Sequence, residues 1–266
     1  MSLREFFLGN GIEYFAVLSY SETKKTRPHI LRNAPFLPKS VIVYLVPYYT
    51  GKAKNLSAYA KSRDYHLAIK EINEKLEKFL KDMYPCNKFA GYGDHSPIDE
   101  RHAALITGLG ISGDNGLIIN EKYGSYVFIG DMLSDIDSEL LGRNKTVEIS
   151  RCEGCGKCKT ACPTGILRGD GDDCLSAITQ RKGTLTEKEA SLMKQYNTAW
   201  GCDLCQLACP HNENVNETPL EFFKRDNVEE LSRKLIENMT DEEFSCRAFS
   251  WRGREVLLRN LDILEK

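Results

Sequence analysis

The alternation of apolar and polar residues predicts a mixed α/β region over residues 1–150. Two runs rich in β-branched and aromatic residues, EYFAVLSY (13–20) and SVIVYLVPYY (40–49), predict strands. From about Ser57 the apolar residues recur every three or four positions, which predicts a helix. Its expected buried stripe consists of Tyr65, Ile69, Ile72, Leu76, Phe79, Leu80 and Met83.

The next segments predict further elements of the same region. KFAGYGD (88–94) reads as a strand that ends at Asp94, and PIDERHAALITGLG (97–110) predicts a helix from Pro97 to the glycines. GLIIN (116–120) and GSYVFIGDML (124–133) predict a hairpin whose turn holds Gly124. We therefore expect a fold of the α+β or α/β class, with a mixed sheet flanked by helices.

Composition places the chain among globular proteins. Of the 266 residues, 41% are hydrophobic and 28% are charged, and the net charge of -2 gives no global field for nucleic acid or an acidic membrane. No apolar run approaches the ~18 residues of a membrane span, and no secretory signal is recognisable at the start. We expect a cytoplasmic protein without a membrane partner.

The cysteines are concentrated in the second half of the chain, where they form a spaced pattern. The segment CEGCGKCKTACP has the spacing C-x2-C-x2-C-x3-C-P of bacterial ferredoxins, and GCDLCQLACP repeats its ending without the first cysteine. Cys174 can supply that missing ligand. The eight cysteines of the pattern are Cys152, Cys155, Cys158, Cys162, Cys174, Cys202, Cys205 and Cys209.

In ferredoxins the fourth cysteine of each run binds the other cluster of the pair. This rule predicts one [4Fe-4S] cluster on Cys152, Cys155, Cys158 and Cys209, and a second on Cys162, Cys174, Cys202 and Cys205. The alternative is two four-cysteine zinc sites, although zinc sites favour two separated C-x2-C pairs. Cys86 and Cys246 remain outside the pattern, and we expect both to be small buried side chains.

The pattern divides the chain into three predicted parts. We expect an α/β domain that holds a second reactive centre at 1–150, a ferredoxin-like double-cluster domain at 151–215, and a charged helical segment at 216–266 that packs back on the first domain. The first part contains no G-x-G-x-x-G after a strand, no P-loop and no H-E-x-x-H. A dinucleotide, nucleotide or zinc-protease site is therefore not indicated.

A set of longer motifs identifies a family. YAKSRDYH (59–66), DHSPIDERHAALITGLGISGDNGLIIN (94–120), GSYVFIGDML, the cysteine runs, CLSAIT (174–179) and FSWRGREVLLRN (249–260) follow one another in this order. Over roughly residues 36–260 the chain resembles the epoxyqueuosine reductases, which are cobalamin-dependent, carry two [4Fe-4S] clusters and are related to reductive dehalogenases.

The resemblance implies functional residues. It makes Asp94 the catalytic proton donor, because Asp94 begins the D-x-x-P-x-x-E-R segment, and an epoxide oxygen that leaves as water needs an acid. Burial would then be expected to keep this acid protonated. The alternative is that Asp94 only caps the following helix. The resemblance also makes residues 1–150 the domain for the corrinoid or substrate, and it places Ser176 near the corrinoid. His66, a lone histidine at a helix start, is a second candidate for cofactor contact, and the alternative is a structural role.

Departures from the family concern the substrate. Ile111 stands where the family has Trp, and Asp114 stands where it has Lys, so a negative charge would face an anionic tRNA. Asp99 occupies a normally apolar position, and the sequence stops where longer relatives continue into tRNA-binding helical repeats. The C-terminal section nevertheless has basic residues that could hold an anticodon stem-loop or simply face solvent, namely Lys224, Arg225, Arg247, Arg252, Arg254 and Arg259.

These observations predict a cytoplasmic oxidoreductase that reduces epoxyqueuosine to queuosine in tRNA, with a low-potential donor of the flavodoxin or ferredoxin type. Two alternatives remain open at this point. The same apparatus could reduce another small molecule or a free nucleoside, or the chain could be a non-catalytic double-cluster electron carrier.

Overall fold

Strand β2 (Ser40–Pro47) is an inner strand of the sheet, and all eight of its residues are buried. It pairs antiparallel with β1 (Phe15–Ser19) and with β6 (Val127–Ser134), and β6 pairs antiparallel with β3 (Phe89–Gly93). The strand order is β1-β2-β6-β3. The strands predicted at 13–20, 40–49 and 88–94 are thus present, and the predicted fold class, a sheet flanked by helices, is confirmed. The sheet itself is not mixed as expected, because its three strand pairings are all antiparallel.

The structure is a computed structural model that describes residues 1–33 and 36–265. The other elements before the cysteine-rich section are α1 (Leu3–Gly9), α2 (Tyr65–Met83), α3 (Glu100–Ile106), β4 (Ile111–Ser112) and β5 (Ile118–Ile119). The helices from the start of the cysteine-rich section onward are α4 (Lys157–Ala161), α5 (Leu175–Gln180), α6 (Glu187–Gln195), α7 (Leu204–Leu207), α8 (Glu221–Lys224), α9 (Arg233–Asn238), α10 (Asp241–Ser245) and α11 (Arg254–Glu265).

Helix α2 begins eight residues after the predicted start. It runs from Tyr65, while residues 58–60 form a separate 3₁₀ turn. The difference arises because the intervening main chain bonds to distant residues: the amide of Ser57 donates to Trp200 O and that of Asp64 to Cys246 O. Four members of the predicted stripe, Ile69, Ile72, Leu76 and Leu80, are buried, but Met83 at the end is 44% exposed.

The predicted hairpin between 116 and 133 is wrong. Strand β5 pairs with β4, with Ile119 opposite Ile111, and β6 instead joins the main sheet between β2 and β3. Asn120 and Gly124 form only an isolated bridge. The alternation identified the strands correctly, but it carries no information about which strand pairs with which.

The chain divides into two compact units that interleave along the sequence. Unit 1 contains Met1–Pro47, His66–Gly113 and Ile118–Cys152; unit 2 contains Tyr48–Tyr65, Asp114–Leu117 and Glu153–Lys266. The cysteine-rich section and the C-terminal helices thus share one unit, which differs from the predicted division at 150 and 215. The docking of 216–266 on the first domain stays a prediction, and Lys266 itself lies outside the described residues.

Each unit has its own core. In unit 1, α3 packs on the sheet through Ala103, Ala104 and Leu105. In unit 2 the fully buried Trp200 packs with residues of α9, α10 and α11, and Asn260 of α11 donates to Thr179 O and Ala199 O at 2.7 and 2.8 Å. None of the helices that the structure describes is long and apolar enough to cross a membrane.

Candidate functional site

Asp94 stands directly after β3, where the chain leaves the sheet. Its φ of 64° lies in the left-handed region, which non-glycine residues seldom adopt and which Asp tolerates better than most. The main-chain oxygen of Asp94 accepts a hydrogen bond from Arg27 Nη1 at 3.1 Å. The side chain is 68% exposed, so the burial expected for a protonated acid is not found in this structure.

Asp94 is not the cap of the following helix. Helix α3 begins at Glu100, three residues after the predicted Pro97, and its N-cap is Asp99, whose Oδ1 accepts from the amide of His102 at 2.8 Å. Asp99 therefore has a structural reason to be polar where the family is normally apolar. The helix-cap alternative for Asp94 is wrong.

His66 and Asp94 come together in unit 1. His66 is the second residue of α2, and its Nε2 lies 3.9 Å from Asp94 Oδ2. The imidazole is 49% exposed, so both groups are open to solvent and to an incoming ligand. A carboxyl group and an imidazole can each donate or accept a proton, so the pair has the chemistry for proton transfer. The sequence had singled out the two residues separately.

Two further carboxyl groups are electrostatically linked to Asp94: Glu100 directly, and Asp131 through Glu100. Burial raises the pKa of Glu100, and the charge of Asp94 raises it further while that of Arg27 opposes. Asp131 on β6 is fully buried, and burial raises its pKa to about 8. Sequence reasoning missed Asp131, although an acidic residue inside the apolar run VFIGDML was a visible signal.

The cluster cysteines lie on short helices and on the turns next to them. Cys158 is within α4 and Cys162 caps its end; Cys174 precedes α5; Cys205 is within α7. Short turns of this kind let thiols three residues apart share one centre. All ten cysteines are unbridged thiols, and the expectation that Cys86 and Cys246 are buried is wrong: Cys86 is exposed and Cys246 is half-buried. Among the residues that the structure describes, no three Cys, His, Asp or Glu side chains converge as they would on a single metal ion.

Several thiols of unit 2 affect one another's pKa values. The pKa of Cys202 is raised to about 12, mainly by burial and in part by the charges of Cys174 and Cys162. The pKa of Cys205 is likewise raised to about 12, mainly by burial and in part by the charges of Cys202, Cys174 and Cys158. Thiols that raise one another's pKa are close neighbours, and a cationic centre would reverse this effect and hold them as thiolates. The cysteines therefore fit a metal cluster.

Two more cysteines complete this grouping. The pKa of Cys158 is raised by burial and then, among charges, by Asp114 and Cys209. Burial acts in the same direction on Cys162, but hydrogen bonds from the amides of Leu167, Thr164 and Gly165 together lower its pKa. The sulfur of Cys162 thus lies among donors that stabilise a thiolate.

Ser176, the predicted corrinoid contact, lies on α5 in unit 2 and is half-buried. Its hydroxyl accepts a hydrogen bond from Gln180 Nε2 at 3.0 Å. A hydroxyl that accepts one bond can still donate its own hydrogen. The side chain therefore retains the ability to donate to a bound group.

Asp114 and several C-terminal arginines have partners within unit 2. Asp114 Oδ2 lies 2.7 Å from Lys159 Nζ, so its charge is largely compensated and repels an anion less than the sequence suggested. Arg247 donates to Asp226 O, Arg254 to Ile236 O and Met239 O, and Arg259 to Arg181 O and Gly183 O. These guanidinium groups stabilise the fold. The sequence had suggested that they either hold an anticodon stem-loop or simply face solvent, and their main-chain partners differ from both alternatives.

Comparison with known proteins identifies both halves of the chain. Residues 151–212 match a family described as a 4Fe-4S double cluster binding domain, which decides against the zinc alternative. The epoxyqueuosine reductase of Bacillus cereus is 31% identical over 265 aligned residues, which cover 89% of this chain and 65% of that relative. The chain belongs to the epoxyqueuosine reductase family. The resemblance seen in the motifs is thereby confirmed.

The chain spans from 52% to 68% of the length of the curated epoxyqueuosine reductases that it matches. An epoxyqueuosine reductase solved with an epoxyqueuosine-modified stem loop of tRNA-Tyr superimposes with a TM-score of 0.80 at 21% identity, covering 98% of this chain and 79% of that one. The Bacillus subtilis enzyme, solved with its catalytic aspartate loop swung out of the active site, gives 0.76 at 22% with the same coverage. At these identities the two structures establish the epoxyqueuosine reductase fold.

Proposed function

We propose that the chain reduces the epoxide of epoxyqueuosine to the alkene of queuosine. The observation that carries this proposal is the alignment with the Bacillus cereus enzyme, because a contiguous match over 89% of the chain includes both the Asp94 segment and the cysteine-rich section. Conversion of an epoxide to an alkene and water consumes two electrons and two protons. The chain therefore needs an electron supply and at least one acid at the substrate.

The two [4Fe-4S] clusters supply the electrons one at a time. We assign Cys152, Cys155, Cys158 and Cys209 to one cluster, and Cys162, Cys174, Cys202 and Cys205 to the other. The mutual effects of Cys202, Cys174 and Cys162, and that of Cys209 on Cys158, support this crossed assignment. A low-potential flavodoxin or ferredoxin is the kind of partner that can reduce such clusters.

Cobalamin is the second cofactor that we propose, as in the family that the motifs resemble. When bound, it would supply a reduced cobalt centre able to transfer electrons to the epoxide. The chain's own contribution is to hold it: the half-buried Ser176 hydroxyl can donate a hydrogen bond, and the half-exposed His66 ring offers a second polar contact. Neither side chain is fully buried within its own unit.

Asp94 donates a proton to the epoxide oxygen in this proposal, and His66 at 3.9 Å is placed to restore that proton. In the Bacillus subtilis structure the catalytic aspartate loop is swung out of the active site. An outward position of this kind would account for the 68% exposure of Asp94. Inward movement would then supply the burial that keeps a carboxyl group protonated.

The substrate that we propose is epoxyqueuosine within a tRNA anticodon stem-loop. Since Arg247, Arg254 and Arg259 bond to main-chain carbonyl groups, fewer cations are left for phosphate contacts in the C-terminal section. We therefore expect weak stem-loop binding that decreases steeply between low and physiological salt. A free modified nucleoside is the second candidate substrate, and the same observation favours it.

The test uses anaerobically purified protein reconstituted with iron, sulfide and cobalamin. An epoxyqueuosine-bearing stem-loop and the free nucleoside are each incubated with a chemical reductant and analysed by mass spectrometry. We expect loss of one oxygen atom from the stem-loop, corrinoid absorption bands and close to eight irons per chain. Reduction of the nucleoside alone would favour the second candidate. Full clusters with no corrinoid and no turnover would instead indicate an electron carrier.

A further inference from the structure

Asp131 is an unusual residue for its place in the sheet. It lies on the inner strand β6, opposite Val43 of β2 and Tyr92 of β3, and its side chain is fully buried. Neighbouring positions of this strand are apolar or glycine. A carboxyl group in such a place loses its hydration, which destabilises the fold unless hydrogen bonds compensate.

Hydrogen bonds compensate only one of the two carboxyl oxygens of Asp131. Ser96 donates its hydroxyl hydrogen to Asp131 Oδ2 at 2.9 Å, and Ser96 is itself fully buried. Asp131 Oδ1 has no hydrogen-bond partner within the described part of the chain. The ionisable groups that act on Asp131 or respond to it are Glu100 of α3, Tyr44 of β2 and Tyr92 of β3, and none of them is a cation. The surroundings therefore favour the neutral acid.

Ser96 belongs to the acid segment, residues 94–99, which carries Asp94 at its outer end. One side of this segment is fixed by main-chain hydrogen bonds to residues 24–27, since Pro97 O accepts from the amides of Thr26 and Arg27, and the amide of Asp99 donates to Lys24 O. The bond between Ser96 and Asp131 fixes the other side to the sheet. Asp94 lies outside both attachments, at the end that remains exposed.

We propose that Asp131 is a positioning residue for Asp94: by holding Ser96 it fixes the base of the acid segment and so determines where Asp94 stands. This inference rests on the proposed function, in which Asp94 is the proton donor. Displacement of a reacting group by about 1 Å can lower a rate by ~10²-fold, so a fixed base has a catalytic consequence. The neutral form of Asp131 suits this role because it needs no counter-ion within the sheet.

Amide hydrogen exchange tests whether the bond between Ser96 and Asp131 holds the acid segment in place, and it does not depend on measuring catalysis. Four variants of the holoprotein are compared at about pH 7: Ser96→Ala, Asp131→Leu, Asp131→Asn and Ser134→Ala. Removing the bond by Ser96→Ala or Asp131→Leu should speed exchange of residues 96–99 by roughly tenfold or more. Asp131→Asn retains an acceptor for Ser96 and should preserve protection. Ser134→Ala, a matched control on the same strand, removes a buried hydroxyl that bonds to the amide of Ile136 and should leave residues 96–99 unchanged.

Turnover then reports on positioning. Ser96→Ala should lower kcat by roughly 10- to 100-fold with little change in KM, and Asp131→Asn should restore most of the rate lost in Asp131→Leu. Because the Ser96 hydroxyl also accepts from the amide of Ile98, Asp131→Leu is the deciding variant. Unchanged exchange at 96–99 in Asp131→Leu would overturn the inference, as would faster exchange with unchanged kcat. The proposed function is judged separately by Asp94→Asn: full turnover in that variant would refute the role of Asp94 while leaving the exchange result intact.

Discussion

Replacing Asp131 by Asn should change the pH dependence of stability in a direction that the buried position determines. The carboxyl group has a pKa of about 8 in the folded protein, against the ordinary value of 3.8 that it regains on unfolding. Below about pH 4 both states hold the proton, so stability does not change with pH there and is at its highest with respect to this group. Between about pH 4 and about pH 8 only the folded state keeps it. Stability therefore declines as the pH rises through this range and levels off above it.

The magnitude follows from the two pKa values. Each factor of ten in proton affinity corresponds to ~1.4 kcal/mol, so the interval from 3.8 to about 8 corresponds to about 6 kcal/mol. Asparagine carries no titrating proton, so the free energy of unfolding of Asp131→Asn should increase relative to wild type by about 2 kcal/mol between about pH 6 and about pH 8, where the folded carboxyl group is already half ionised. Any constant cost of the substitution cancels in this difference.

The assay is anaerobic urea denaturation followed by circular dichroism at three pH values in this range. Asp135→Asn is the matched control. Burial acts to raise the pKa of Asp135, but hydrogen bonds from the amide of Lys88 and from Asn87 outweigh it, so the pKa is lowered. Asp135 is then ionised in both states throughout the range, and its variant should show a constant difference from wild type. A constant difference for Asp131→Asn as well would refute the reasoning, because it would mean that folding does not change the affinity of Asp131 for its proton.

Three further changes test the site and the fold. Asp94→Asn should lower epoxide reduction by roughly 10²- to 10⁴-fold while iron and corrinoid contents stay at wild-type values, and wild-type turnover would remove Asp94 from the mechanism. Cys162→Ser should reduce iron from about eight to about four per chain, whereas Cys86→Ser, at an exposed thiol outside the motif, should not; equal iron in both variants would contradict the crossed assignment. Asp99→Ala should lower the free energy of unfolding by about 1 kcal/mol through loss of the cap of α3, and urea denaturation that shows no change would argue against that cap.

Elements with a strong local signal were predictable from the sequence. The apolar run of β2 and the stripe of α2 follow from periodicity, because burial of one strand or one helix face needs a regular pattern. The double-cluster domain was predictable for a different reason: the spacing of cysteines along a tight turn is itself the geometry that a cluster requires. The assignment of each cysteine to a cluster stays a prediction.

Features that depend on distant partners were not predictable in the same way. The start of α2 at Tyr65 depends on main-chain bonds of Ser57 and Asp64 to residues far along the chain. The partners of β6 are set by packing of the whole sheet, so alternation alone suggested a hairpin that does not form. Asp131 was visible as a polar residue, but its burial and its bond to Ser96 arise only once β6 and the acid segment are folded.

The interleaving of the two units limits how this protein can be taken apart. Residues 48–65 belong to unit 2, where the hydroxyl of Ser57 and the amide of Ala58 donate to the half-buried carboxylate of Asp203, next to Cys202 of the cysteine motif. A fragment that begins at residue 151 would leave this carboxylate without those donors. The cluster-binding section is therefore not an independent folding unit, because the residues that fold together with it extend beyond its limits in the sequence. Contacts of such long sequence separation also favour slow folding, so assembly of unit 2 must wait until most of the chain has been synthesised.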